Sequence, residues 1–166
     1  DFEVKNFLQV PEPLIQKEFS RIMSLKDGSK KMSKSELSDL SRINLTDNKD
    51  QIINKIKKAK TDPLPMPKNI KELDNRVEAK NLLGIYSSLT NSTLQNSVER
   101  FASKNFSEFK EVLAEELVNK IEPISLEIKK LLGDEKYLDE ILLDGVEKAS
   151  LIASKKIERI KEIVGF

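Results

Sequence analysis

The chain has 166 residues, 38% of them hydrophobic and 34% charged, a composition that supports one sizeable core with a small lobe attached. It contains no Cys and no His, which excludes disulfides, thiolate chemistry, Ser-His-Asp triads, imidazole bases and His-ligated metals. The net charge of +1 is unevenly spread: residues 1–60 carry 13 Lys and Arg against 9 Asp and Glu, and the remainder 16 against 19.

In chain order, Phe2, Val4, Phe7, Leu8 and Val10 lead into Pro11-Glu12-Pro13, the pattern of a short extended segment and a turn. Ser20 to Leu25 is a second short apolar piece, expected as a strand. Asp27-Gly28-Ser29-Lys30-Lys31 is polar, and its glycine favours a mobile loop. Strands without a partner sheet point to a piece of something larger. From Asp47 the period becomes helical, with Asp47 or Asn48 as cap, Ile52, Ile53, Ile56 and Ala59 on one face, and a stop near Thr61 before Pro63, Pro65 and Pro67. The proline-spaced stretch to about Asp74 reads as an ordered loop.

Leu82, Ile85, Tyr86 and Leu89 follow helical spacing. Ser92-Thr93-Leu94-Gln95 has the form of a capping box, opening a helix that turns Leu94, Val98 and Phe101 inward. Ser107 is expected to cap a long helix running to Leu131, kinked at Pro123 and closed by a left-handed Gly133. A short helix over Tyr137–Leu142 should end near Gly145, and a last one should carry Val146, Ala149, Ala153, Ile157 and Ile160. The predicted fold is mainly α, a helical bundle.

One element stands above this background: Lys31-Met32-Ser33-Lys34-Ser35. Two ammonium groups three positions apart, beside a glycine loop, can reach different oxygens of one polyphosphate, and small serines let the backbone approach. A second lysine group, Lys55, Lys57, Lys58 and Lys60, has the pattern of a solvated face, although such charges can also meet nucleic-acid phosphate.

The stretch from Ser20-Arg21-Ile22-Met23 to Lys31-Met32-Ser33-Lys34-Ser35 resembles the second signature region of class I aminoacyl-tRNA synthetases, and specifically of the tryptophanyl-tRNA synthetase family. Val10-Pro11-Glu12-Pro13, Ser41-Arg42-Ile43-Asn44-Leu45-Thr46-Asp47, Arg76-Val77-Glu78-Ala79-Lys80-Asn81-Leu82-Leu83 and Gly145-Val146-Glu147-Lys148-Ala149 are similar to that family in the same order. The resemblance covers essentially the whole chain and corresponds to the family's C-terminal half. It implies that residues 1–46 end a Rossmann-like catalytic domain and that residues 47–166 form a helical anticodon-binding domain.

By the same resemblance, Lys31 and Lys34 are the catalytic candidates. Ile22 and Met32 would line an adenine pocket, and Lys31, Ser33, Lys34 and Ser35 would hold the ATP phosphates. ATP is then a substrate, with Mg²⁺ carried on its phosphates and no protein metal site. The implied partners are tRNA(Trp), ATP and, through an N-terminal half, tryptophan, with a homodimer expected for the full-length enzyme. A cytoplasmic location is expected from the absence of Cys, and no membrane span because the apolar runs are far too short for one. The family's first signature, His-Ile-Gly-His, cannot exist without His, so these 166 residues are expected to be inactive alone. Two alternatives stand beside this: a stand-alone helical RNA-binding module without catalysis, and the tyrosine-specific relative.

Overall fold

The computed structural model describes residue 8, residues 10–15 and residues 19–165. It contains five α-helices among the described residues: α1 Lys49–Lys57, α2 Val77–Thr90, α3 Leu94–Phe101, α4 Phe106–Leu132 and α5 Glu135–Val164. Short 3-10 turns occupy Asp39–Ser41 and Ile70–Asn75.

α1 starts as the sequence suggests. The Asn48 side chain accepts the Gln51 N–H at 2.9 Å, and the Gln51 side chain accepts the Asn48 N–H at 2.8 Å, so two orphan donors of the first turn are satisfied reciprocally. At its other end Lys110 of α4 donates to the carbonyls of Lys57 and Ala59. α1, α2, α3 and the first half of α4 enclose one core, built on Ile52, Ile56, Leu82, Leu83, Tyr86, Val98, Leu113 and Leu117. Phe101 stands at its centre, edge-on to Tyr86 at 5.0 Å and to Phe109 at 4.8 Å between ring centroids. Leu25 and Met66, from outside the helices, are sealed into the same core.

The proline-spaced stretch is stitched down. Arg76 forms a forked pair with Asp62 at 2.7 and 2.9 Å, donates to the Pro65 carbonyl at 2.8 Å, and lies over the Phe106 ring. Met66 donates to the Lys104 carbonyl and accepts from the Ser103 N–H.

Several local expectations need correction. The strand expected over Ser20–Leu25 is reduced to one antiparallel bridge, Met23 with Lys31. Gly28 is buried instead of looped out, and a Cβ there would stand 2.9 Å from the backbone of Val77 and Glu78, so close approach is what requires glycine. Thr93, not Ser92, caps α3, and α4 opens after Asn105, not at Ser107. Gly133 has φ −81°, an ordinary right-handed conformation, so no left-handed cap closes α4. Pro123 is carried inside the uninterrupted α4.

The largest difference is α5, which runs through Gly145 as one helix of 30 residues. None of its described residues is buried, and Ile141, Leu142, Val146, Leu151 and Ile152 are all exposed. The extended piece expected over residues 2–10 lies, apart from residues 8 and 10, outside the described residues.

Candidate nucleotide-phosphate site

The segment from Ser20 to Thr46 folds back on itself by a small number of main-chain bonds. The Ser24 N–H donates to the Lys30 carbonyl at 2.8 Å and the Met32 N–H to the Ile22 carbonyl at 3.0 Å, closing a two-stranded ladder around Met23 and Lys31. The turn between them is held by Asp27, whose carboxylate accepts from the Ser29 N–H at 3.0 Å and the Ser29 hydroxyl at 2.6 Å. Those serine bonds hold the Asp27 carboxyl below its usual range, with Lys30 assisting.

Next to the ladder lies a cleft of about 570 Å³, lined by Ser20, Arg21, Ile22 and Lys31–Lys34 on one side and residues 42–46 on the other. Its size suits a nucleoside-sized ligand. Of the residues singled out from the sequence, Ile22, Lys31, Met32, Ser33 and Lys34 come together here. Ser35 does not line the cleft; its hydroxyl lies 2.9 Å from that of Ser33, which also accepts the Ser35 N–H. Ile22 and Met32 are half-buried and pack on the core, while the side chains of Lys31 and Lys34 stand exposed. Neither lysine pairs with a carboxylate among the described residues, so two uncompensated positive charges flank an apolar wall.

No residue of the far wall was among the site residues expected from the sequence. Arg42 spans it, donating to the Glu36 carbonyl at 2.9 Å and to Asn44 Oδ1 at 3.1 Å, with Asp39 at 3.2 Å. Beneath it sits an ion cluster: Lys55 Nζ lies 2.7 Å from Asp47 Oδ2 and 2.7 Å from Asp39 Oδ2. The Lys55 hydrogen bond, followed by that of Asn44, holds the Asp39 carboxyl below its usual range. Lys55 is 2% exposed, so it is no part of a solvated lysine face. Lys60 pairs with Glu78 at 2.8 Å, which raises its own ammonium pKa, while Lys57 and Lys58 remain exposed. The only sequence signal for the inward Lys55 is its place between Ile52 and Ile56 on the apolar face of α1.

Comparison with known proteins matches residues 2–123 to the family model described as tRNA synthetases class I (W and Y). The chain is 48% identical over 166 residues to the tryptophan–tRNA ligase of Caulobacter vibrioides, covering all of this chain and 48% of that protein. It is 48% identical over 162 residues to the tryptophan–tRNA ligase of Rickettsia felis, covering 98% of this chain and 48% of that one. It thus spans about half the length of the curated relatives it matches. Among solved structures it is similar to the tryptophanyl-tRNA synthetase of Mycoplasma pneumoniae, with TM-score 0.73 and 24% identity over 91% of this chain and 45% of that one. The Campylobacter jejuni tryptophanyl-tRNA synthetase complexed with ADP and tryptophan gives TM-score 0.67 and 24% identity over 96% and 48%. At these identities the structural likeness concerns the fold.

Proposed function

Since the chain belongs to the class I tRNA synthetases of the tryptophan and tyrosine type, we propose that it is the part of a tryptophan–tRNA ligase that grips ATP phosphates and carries tRNA-binding helices. The observation that carries this reading is the cleft itself: an apolar wall of Ile22 and Met32 continues into Ser33 and the ammonium groups of Lys31 and Lys34, which pair with no carboxylate among the described residues. An adenine ring lies against the wall, and the triphosphate extends toward the lysines.

In the reaction proposed, the tryptophan carboxylate attacks the α-phosphorus and pyrophosphate leaves. Lys31 and Lys34 neutralise the charge that grows on the departing phosphates, and the serine hydroxyls donate to phosphate oxygens. Ser35, turned onto Ser33, steadies the loop and joins the phosphates when it closes. No protein nucleophile takes part, which agrees with a sequence lacking Cys and His. Mg²⁺ enters with ATP as part of the substrate, held by phosphate oxygens.

Residues 1–46 serve as the end of the catalytic domain and residues 47–166 as the anticodon-binding part. That boundary divides labour and not packing, because Leu25 shares one core with Ile52 and Ile56. tRNA(Trp) as the acceptor, a homodimeric full-length enzyme and a cytoplasmic location belong to the same proposal. No helix among the described residues is long and apolar enough to cross a membrane.

Tryptophan-dependent ATP–pyrophosphate exchange tests this reading. In an intact ligase containing this chain, Lys31→Ala and Lys34→Ala are each expected to lower exchange by about a hundredfold or more, the scale of losing one preorganised charge-stabilising group. Unchanged exchange in both variants would overturn the phosphate-grip assignment. The 166-residue chain alone is expected to give none, and measurable exchange from a homogeneous sample would sink the half-site reading.

A further inference from the structure

The ladder that presents Lys31 has an exposed-edge problem that α2 solves. Its two bonds, Ser24 N–H to Lys30 and Met32 N–H to Ile22, bracket Met23 and Lys31 without joining them. In an antiparallel pair of this kind, the N–H and C=O of Met23 point away from the Lys31 segment, toward the ladder's outer edge. A third strand would ordinarily occupy that edge. Here it is met by one side chain. Asn81 Oδ1 accepts the Met23 N–H at 2.9 Å, and Asn81 Nδ2 donates to the Met23 carbonyl at 2.8 Å. The same Nδ2 lies 3.5 Å from the Ser24 carbonyl. A carboxamide is the side-chain group that reproduces one peptide's donor and acceptor together, and here it stands in for a missing strand.

Asn81 is itself fixed. It is 7% exposed, one position before Leu82 and Leu83, both fully enclosed in the core, so its backbone cannot follow a moving loop. One turn earlier, the backbone of Val77 and Glu78 is pressed against Gly28 at the tip of the ladder, and Glu78 pairs with Lys60. Lys60 in turn donates its N–H to the Leu25 carbonyl at 2.7 Å. The first turns of α2 therefore grip the ladder at Met23, at Leu25 through Lys60, and at Gly28.

We propose that Asn81 is a positioning residue for the Lys31–Ser35 loop: by completing the hydrogen bonding of Met23, it makes α2 set where Lys31 stands. Its consequence for ATP rests on the function proposed above, whereas the clamp itself does not. Met32 follows Lys31 on the cleft wall and Lys34 lies two residues further on, so a slip of the ladder displaces both ammonium groups together.

The test uses amide hydrogen exchange resolved at the ladder residues Ser24 and Met32, compared with the core amides of Leu113 and Leu117. Asn81→Leu keeps a branched side chain of similar shape and removes both hydrogen bonds. It is expected to speed exchange at Ser24 and Met32 by about tenfold relative to the core amides, the factor for losing roughly one net hydrogen bond. Asn81→Asp, which at neutral pH turns a buried carboxylate oxygen toward the Met23 and Ser24 carbonyls, is expected to speed exchange at Ser24 and Met32 at least as much as Asn81→Leu. Val98→Ala, on α3, serves as the control that weakens the core away from the ladder: it is expected to speed the Leu113 and Leu117 amides at least as much as those of Ser24 and Met32, so the ladder-to-core ratio does not rise. A common acceleration of all four amides in Asn81→Leu, matching Val98→Ala, would overturn the proposal by reducing Asn81 to a general stability residue. In the intact ligase, Asn81→Leu is expected to raise the KM for ATP by about tenfold, by the same argument, and to leave that for tryptophan unchanged. Equal rises in both KM values would count against a positioning role. If Lys31→Ala and Lys34→Ala both leave ATP–pyrophosphate exchange unaltered, the phosphate assignment fails while the hydrogen-exchange ratio still decides the clamp.

Discussion

Replacing Lys55 by Met removes a charge from the most enclosed ion cluster among the described residues while keeping most of the side chain's volume. Lys55 Nζ contacts Asp47 and Asp39 at 2.7 Å each, and the side chains of Lys55 and Asp47 are only 3% and 4% exposed. Asp39, at 53%, regains water when the ammonium is lost and contributes little. Asp47 cannot. Removing one partner of a buried pair costs about 3–5 kcal/mol, because the other charge is left without compensation. Asp47 retains the Asn44 N–H at 2.8 Å and the Asn44 amide at 3.3 Å, which places the expected cost at the lower end, about 3 kcal/mol. For a domain of this size that is a fall in Tm of roughly 6–12 °C. Thermal and urea unfolding followed by circular dichroism at neutral pH would measure it. Adding Asp47→Asn to Lys55→Met is expected to recover at least half the loss, since no charge then remains buried. A loss below about 1 kcal/mol in the single variant, the scale of a solvent-exposed pair, would refute the reasoning.

Two further perturbations address the neighbourhood of the cleft. Asp39 is held below its ordinary value by Lys55 and Asn44, so its contribution to stability is complete above that value and is lost as pH falls through the folded one. The stability difference between the unmodified chain and Asp39→Asn should therefore be constant near neutrality and close as pH drops below 3.8, as read from acid titrations of helicity. Gly28→Ala would place a Cβ 2.9 Å from main-chain atoms of Val77 and Glu78, which have no flexible end to yield. It is expected to cost about 1–3 kcal/mol in urea unfolding, the range of forced overpacking.

How far the sequence carried this depended on the range of the interaction. The start of α1 is legible to within one residue, Asp47 or Asn48, because capping is a local interaction, and so are the inward faces of α2 and α3, because their spacing is local; the partner Gln51 comes only from the structure. The cleft wall of Ile22, Met32 and the two lysines was readable through the resemblance. Asn81, 58 residues from Met23, was not, because nothing in an Asn on a helix announces a main-chain partner so distant. Lys55 was misjudged for a related reason: its partners come from the preceding loop, and in sequence it looks like any lysine of a basic run. Gly145 misled in the opposite direction. A lone glycine costs a helix about 1 kcal/mol, less than creating two new helix ends, and a Cβ there would meet open space, so α5 passes straight through.

The binding of Arg76 to Asp62, Leu64 and Pro65 makes the connection between α1 and α2 a strut and not a hinge. Three prolines with fixed φ already stiffen it, and the forked guanidinium ties its two ends to each other. A load placed on α2 would therefore pass to the ladder through Asn81 and the Gly28 contact instead of being absorbed at this joint.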